Sequence, residues 1–257
     1  MQSRTLLFLT GGISFLSALL LFIIQPMVTK TLLPLFGGAA MVWTVCVLYF
    51  QSILLVSYGY VYLINRFSNY KTQKLIHLLM LAGSLFYVFP ILWGALPGHI
   101  EGTPTYYLLY LLSIKLTWLL LVLSATSPLL QSWFSKSTDR KARDPYFLYA
   151  TSNLGSMLAL LSYPLAIEKY MGLIRQSELW SSLYFIFGCL LVLLAIFLKQ
   201  TSTVTTQRVA TKITVGQVSN WLFLSFVPVS LMLAVTTFIS TDIASFPFVW
   251  VLPLSLY

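Results

Sequence analysis

Long apolar runs separated by short polar stretches dominate the sequence. A transmembrane helix needs about 20 mostly apolar residues to cross about 30 Å of hydrocarbon, because its backbone must satisfy its own hydrogen bonds there. Seven runs have this length, at residues 6–24, 42–64, 75–93, 106–126, 146–167, 179–198 and 221–239. An eighth begins near Phe246, and we expect it to be a span truncated at Tyr257. The pattern predicts an all-α fold, a polytopic transmembrane helix bundle with seven spans plus this truncated eighth.

The basic residues predict the orientation of the bundle. Positive charge in short loops is retained on the cytoplasmic side of a membrane. With a cytoplasmic N-terminus, eleven Lys and Arg residues fall on the cytoplasmic side and three, Lys30, Lys169 and Arg175, on the other. We therefore expect the N-terminus and the loops at 65–74, 127–143 and 199–220 to be cytoplasmic.

One long polar linker divides the chain. Residues 199–220 are rich in Thr and Ser, whereas the other predicted loops are shorter. The sequence thus predicts a six-span membrane unit at 1–198, a cytoplasmic linker at 199–220, and the start of a second, truncated membrane unit at 221–257. Transporters of the major-facilitator type have a comparable division, with six spans before a cytoplasmic linker.

Composition excludes a soluble domain. Hydrophobic residues make up 58% of the chain and charged residues 8%, against about 25% charged in soluble proteins. The net charge of +9 is best explained by loops that face anionic lipid, so we expect the bilayer as partner and no nucleic acid. Cys46 and Cys189 lie in apolar runs, and His77 and His99 lie far apart, which predicts no metal site. The sequence contains no catalytic motif and predicts no cofactor.

Lys115 is the most informative single residue, because it lies nine residues into a predicted span of 21 residues and therefore near the bilayer midplane. A charge there is costly unless it meets an anion, carbonyl groups or water. One interpretation is a cation that faces a cavity and binds an anionic ligand. The alternative is a shifted span whose lysine reaches a lipid headgroup.

The segment at 25–43 is too apolar for an ordinary loop, yet it contains Pro26, Lys30, Pro34, Gly37 and Gly38. This pattern predicts broken backbone, which membranes tolerate where it is buried in protein or lines a cavity. A re-entrant or interfacial element is therefore expected. The glycine pair favours a structural turn, with a backbone cradle for an anion as the alternative.

The fifth predicted span carries small residues at helical spacing. Ser152, Gly155, Ser156 and Ala159 form a stripe that favours close packing against a neighbouring helix. Asn153 could hydrogen-bond across helices or to a ligand. Glu168 and Asp242 place carboxylates near the outer interface, either as ligand-binding groups or as solvated loop charges.

Three blocks resemble the membrane portion of bacterial fused major-facilitator/spermidine-synthase-like proteins. They are PMVTKTLLPLFGGAAMVWTVCVLYFQSILLVSYGYVYL (26–63), DPYFLYATSNLGSMLALLSYPLAIEKYMGLIRQSELW (144–180) and DIASFPFVWVLPLSLY (242–257). The resemblance implies a multi-pass protein of the bacterial inner membrane. The residues on the family pattern are Lys30, Pro34, Gly37, Gly38, Trp43, Gln51, Asp144, Tyr149, Asn153, Gly155, Glu168, Asp242 and Pro247.

The chain also departs from that family. Relatives continue into further spans and an aminopropyltransferase-like domain, which the sequence up to Tyr257 does not contain, and the loop at 65–74 lacks the Gly-x-x-x-Asp-Arg/Lys pattern of major-facilitator transporters. We expect a membrane domain of a spermidine-synthase-like fusion that binds or translocates a small solute. The alternatives are a membrane anchor for an aminopropyltransferase-related enzyme whose catalytic domain lies outside this chain, and a scaffold for a separate partner enzyme.

Overall fold

The computed structural model describes residues 3–36, 39–88, 104–137, 145–198 and 214–238. Helices make up almost all of these residues, so the chain is an all-α helical bundle, as predicted. The helices are α1 (Ser3–Phe36), α2 (Ala39–Phe67), α3 (Tyr70–Val88), α4 (Pro104–Ser135), α5 (Tyr146–Ser162), α6 (Glu168–Tyr170), α7 (Leu173–Phe197) and α8 (Val215–Phe238). A single turn of π-helix, Tyr163–Ile167, joins α5 to α6.

Five of the described helices are long and apolar enough to cross a membrane, which makes the chain a multi-pass membrane protein. Their spanning segments are Arg4–Phe36, Met41–Phe67, Thr105–Ser135, Leu173–Phe197 and Val215–Val235. The third and fifth predicted spans correspond to α3, which is described only as far as Val88, and to α5, which the π turn interrupts. The count of seven spans and the cytoplasmic N-terminus stay predictions, and the eighth span lies outside the described residues.

The expectation of broken backbone at 25–43 is wrong for most of that segment. α1 continues through Pro26 and Pro34 to Phe36, and α2 begins at Ala39. Each proline removes only one helical N–H donor. Side chains on both sides of Pro26, including Ile24, Met27 and Val28, are buried in the bundle. Packing therefore stabilises the helix across a residue that would end it in isolation.

α1 is the central helix of the first compact unit, Met1–Ser202. It packs against α2, α4, α5 and α7. Its closest neighbour is α5, since a Cβ atom on Gly155 would overlap the carbonyl oxygen of Phe15 and lie 3.3 Å from the Leu19 nitrogen. On another side, the indole Nε1 of Trp180 in α7 donates to the Leu20 carbonyl at 2.9 Å. These contacts hold α1 between α5 and α7.

α3 fills the space between α4 and α7. The hydroxyls of Ser84 in α3 and Tyr184 in α7 lie 2.6 Å apart, and the Ser181 hydroxyl donates to the Val88 carbonyl at 3.1 Å. The turn between α2 and α3 is only Ser68 and Asn69. It is much shorter than the predicted loop at 65–74, because both helices continue into the polar residues at their ends.

The second compact unit, Thr203–Tyr257, is described through α8. α8 begins at Val215, six residues before the predicted span and inside the predicted linker. A capping box explains this start: the Gln217 side chain accepts from the Thr214 N–H at 2.9 Å, and the Thr214 hydroxyl accepts from the Gln217 N–H at 3.3 Å.

Candidate functional site

An ion pair joins two of the candidate ligand-binding residues that the sequence analysis named on separate grounds. Lys30 Nζ in α1 lies 2.5 Å from Glu168 Oε1 at the start of α6. The Lys30 side chain is 42% exposed and that of Glu168 25% exposed. Both charges are thus partly accessible, and each neutralises the other at the edge of the bundle.

A proline precedes each member of the pair by four residues. Pro26 precedes Lys30 in α1, and Pro164 precedes Glu168 in the π turn. A proline lacks the N–H that would bond to the carbonyl four residues earlier, which weakens a helix at that level. In the second case the N–H of Glu168 instead reaches the Tyr163 carbonyl, the wider hydrogen bond of a π turn. Glu168 is therefore presented to α1 by a helix whose winding has changed just before it.

Polar contacts fix the backbone around Glu168. The Tyr163 hydroxyl donates to Gln176 Oε1 at 3.0 Å, and Gln176 Nε2 donates to the Met171 carbonyl at 2.7 Å. Both side chains are buried. These bonds connect the π turn, the end of α6 and the start of α7. They fix the buried side of the segment that carries Glu168, while its carboxylate faces Lys30.

The other predicted ligand-binding residues lie apart from this pair or outside the described residues. Lys115 is half-buried in α4, and within the described part of the chain it makes no hydrogen bond or ion pair. Because α4 runs on to Ser135, Lys115 lies on the Pro104 side of the helix centre, not at the midpoint that the shorter predicted span implied. Asn153 is exposed on α5. Gly37, Gly38 and Asp242 lie outside the described residues.

The small-residue stripe of α5 divides into two parts. Gly155 and Ala159 are buried, with Gly155 against the α1 backbone, whereas Ser152 and Ser156 are half-buried beside that contact. The Ser156 hydroxyl donates to the Asn153 carbonyl of its own helix at 2.9 Å. The close approach is therefore centred on Gly155.

Sequence reasoning missed a buried polar cluster between α2, α3 and α4. His77 is fully buried in α3, and its Nε2 lies 3.1 Å from the Thr126 hydroxyl of α4. Its ring stacks on Tyr60 of α2 with centroids 6.3 Å apart, and Ser57 lies one turn before Tyr60. A single histidine in an apolar run was the only signal in the sequence, and without a partner at ligand spacing it predicted nothing.

Nearer to the α2–α3 turn the same three helices share further hydrogen bonds. Trp133 Nε1 donates to Gln73 Oε1 at 2.9 Å, and Gln73 Nε2 donates to the Ser68 carbonyl at 2.9 Å. The Ser132 hydroxyl donates to Asn65 Oδ1 at 2.7 Å. These bonds satisfy the polar groups where the helices meet, so this region is structural.

The described residues support neither a metal site nor a pocket for a charged solute along α2. Within them, no three His, Cys, Asp or Glu side chains group closely enough to hold a metal ion. A groove of about 520 Å³ lies along α2 beside the start of α3, lined mainly by apolar side chains such as Val56, Leu63, Phe67 and Ile76. Such a lining suits a lipid chain better than a charged solute.

Comparison with protein-family models, with curated proteins and with solved structures finds no match to this chain.

Proposed function

We propose that the chain is the membrane domain of a spermidine-synthase-like fusion protein, and that it binds a small charged solute between Lys30 of α1 and Glu168 of α6. The observation that carries the solute site is the Lys30–Glu168 ion pair itself. Each residue of the pair follows a proline by four residues, Pro26 in α1 and Pro164 in the π turn.

The Lys30–Glu168 ion pair is weak enough to open when a solute binds. Exposed ion pairs contribute about 0–1 kcal/mol, because water and salt screen them. With side chains 42% and 25% exposed, the Lys30–Glu168 pair belongs near this range. A solute charge can therefore replace one partner without a large free-energy penalty, and the prolines lower the cost of bending each helix below the pair.

The chemistry of the pair restricts the class of solute. A cationic solute would bind Glu168 and compete with Lys30, whereas an anionic solute would bind Lys30 and compete with Glu168. A zwitterion would use both residues. The family resemblance makes a polyamine the first cation to test, and it places a soluble enzyme domain as the partner that would receive or supply the solute.

A thermal-shift experiment on the purified full chain in detergent tests the proposal, because a ligand that binds only the folded state raises its stability. The probes are spermidine, a zwitterionic amino acid and succinate. If spermidine binds, Lys30→Gln should enlarge the shift and Glu168→Gln should abolish it. If succinate binds, Glu168→Gln should enlarge the thermal shift and Lys30→Gln should abolish it. If the zwitterionic amino acid binds, both variants should abolish the shift that it produces.

Matched controls are Lys169→Gln and Glu178→Gln, which remove exposed charges from α6 and α7. They should leave every shift unchanged. The solute site is wrong if no probe stabilises the wild-type protein, or if the control variants change the shifts as much as the variants at the pair do. In that case the membrane-anchor alternative is favoured.

A further inference from the structure

Three buried polar atoms of α2 and α3 have no hydrogen-bond partner among the described residues. They are Ser57 Oγ, Tyr60 Oη and His77 Nδ1. Ser57 is 1% exposed and His77 is fully buried. A buried polar group without a hydrogen bond is destabilising, because it has lost the bonds that it would make to water. Ser57 and Tyr60 lie one turn apart on α2, and the ring of Tyr60 stacks on that of His77 in α3, so the three groups belong to one region of the bundle.

The position of the imidazole proton follows from Thr126. The Thr126 hydroxyl has one hydrogen, which it donates to the Val122 carbonyl at 2.6 Å. Toward His77 it can therefore act only as acceptor, so His77 Nε2 carries the proton and donates across 3.1 Å. In the neutral imidazole Nδ1 is then a bare acceptor.

No carboxylate lies among the described residues of α2, α3 and α4. The charged side chains of α2, α3 and α4 within the described residues are Arg66, Lys71, Lys74 and Lys115, all of them cations. None can stabilise an imidazolium, and Tyr60 is the titratable group that stacks on the ring. The cluster therefore presents one acceptor, His77 Nδ1, and two hydroxyl donors, Ser57 and Tyr60.

We propose that Ser57, Tyr60 and His77 form a buried binding site for water between α2 and α3. Water fits this set because it accepts from hydroxyl groups and donates to an imidazole nitrogen, and buried waters typically make about three hydrogen bonds. The rings of Tyr60 and His77 lie with their centroids 6.3 Å apart, a separation that suits so small an occupant beside them. This site is separate from the Lys30–Glu168 pair and does not depend on any solute bound there.

Nitrogen NMR of the full chain in nanodiscs, with 15N-labelled histidine, tests the site directly. The chain has two histidines, so in the His99→Gln variant every histidine signal comes from His77. We expect a proton on Nε2, an Nδ1 shift typical of a hydrogen-bonded acceptor, and magnetisation transfer from water to the His77 ring.

Variants on α2 identify the ligands. Ser57→Ala and Tyr60→Phe should each move the Nδ1 signal toward that of an unbonded nitrogen, and together they should remove the water transfer. Ser52→Ala and Tyr58→Phe, exposed on the same helix, should do neither. A proton on Nδ1, an absent water signal in the otherwise wild-type protein, or equal effects of the control variants would each overturn the proposal. The first two results need no change at the site, so they remain decisive if a variant fails to fold.

Discussion

Gly155 of α5 lies directly against the backbone of Phe15 in α1. A Cβ atom added to the glycine would lie 3.1 Å from the Phe15 carbonyl carbon and would overlap its oxygen. The atoms it would meet belong to the main chain, which cannot rotate away as a side chain can. The distance between the two helices is therefore set by the absence of a side chain at this position.

Gly155→Ala should destabilise the protein by about 1–3 kcal/mol, because the added methyl group forces the two backbones apart. The measurement is the melting temperature in detergent. Gly83→Ala is the matched control, since a Cβ atom there meets nothing within 4 Å. That change should be neutral or slightly stabilising, as alanine favours helix more than glycine does. Equal melting temperatures for the two variants would contradict the packing argument.

Trp180→Phe should destabilise the protein by about 1–3 kcal/mol. The change removes the hydrogen bond from Nε1 to the Leu20 carbonyl and leaves a space where a side chain 1% exposed had packed. Thermal unfolding monitored by circular dichroism gives the value. Trp118→Phe removes an indole that is 45% exposed and should have little effect. A comparable loss in both variants would show that the bond between α7 and α1 adds nothing.

Lys115→Leu should leave folding intact or stabilise it, because the lysine has no described partner to lose and leucine is favoured over lysine within a membrane span. If Lys115 faces a cavity, which is one of the two interpretations of the sequence, the same variant should alter the thermal shift that a solute produces. A solute response identical to that of the wild type would favour the alternative, a lysine that reaches a lipid headgroup.

Ser137→Cys should resist an impermeant thiol reagent added outside intact cells, because the charge distribution predicts that the loop at 127–143 is cytoplasmic. Lys169→Cys, predicted to face the opposite side, should react in the same assay. Both variants belong in a background without Cys46 and Cys189. Reaction at residue 137 combined with protection at residue 169 would reverse the topology.

The fold class could be predicted because only helices satisfy their own backbone across a membrane, so a long apolar run is enough to specify one. The helix ends could not. α1 extends to Phe36 and α4 to Ser135, well beyond their apolar cores, because packing stabilises turns that contain proline, lysine or serine. The start of α8 is different, since Thr214 and Gln217 have the three-residue spacing of a capping box just before an apolar run, which is a signal within the sequence itself.

The candidate sites show a similar limit. Lys30 and Glu168 could each be selected as a charge close to a proline, but their contact depends on α1 continuing past Pro26 and on the π turn in the other helix. His77 could not be selected, because Ser57, Tyr60 and Thr126 come from two other helices and acquire meaning only when these meet. The sequence shows where charged and polar residues lie along the chain. Only the packing of the helices determines which of them come into contact.

The π turn also sets the phase of α5 relative to the helix it faces. The buried positions Gly155, Ala159 and Tyr163 follow at intervals of four residues, and Glu168 comes after an interval of five. In a regular helix with 3.6 residues per turn, an interval of five would rotate the side chain by roughly 140° from that face. A regular α-helix over the same five residues would keep every charge in the chain, yet Glu168 would no longer point at Lys30. The ion pair therefore depends on the wider turn as much as on its two charges.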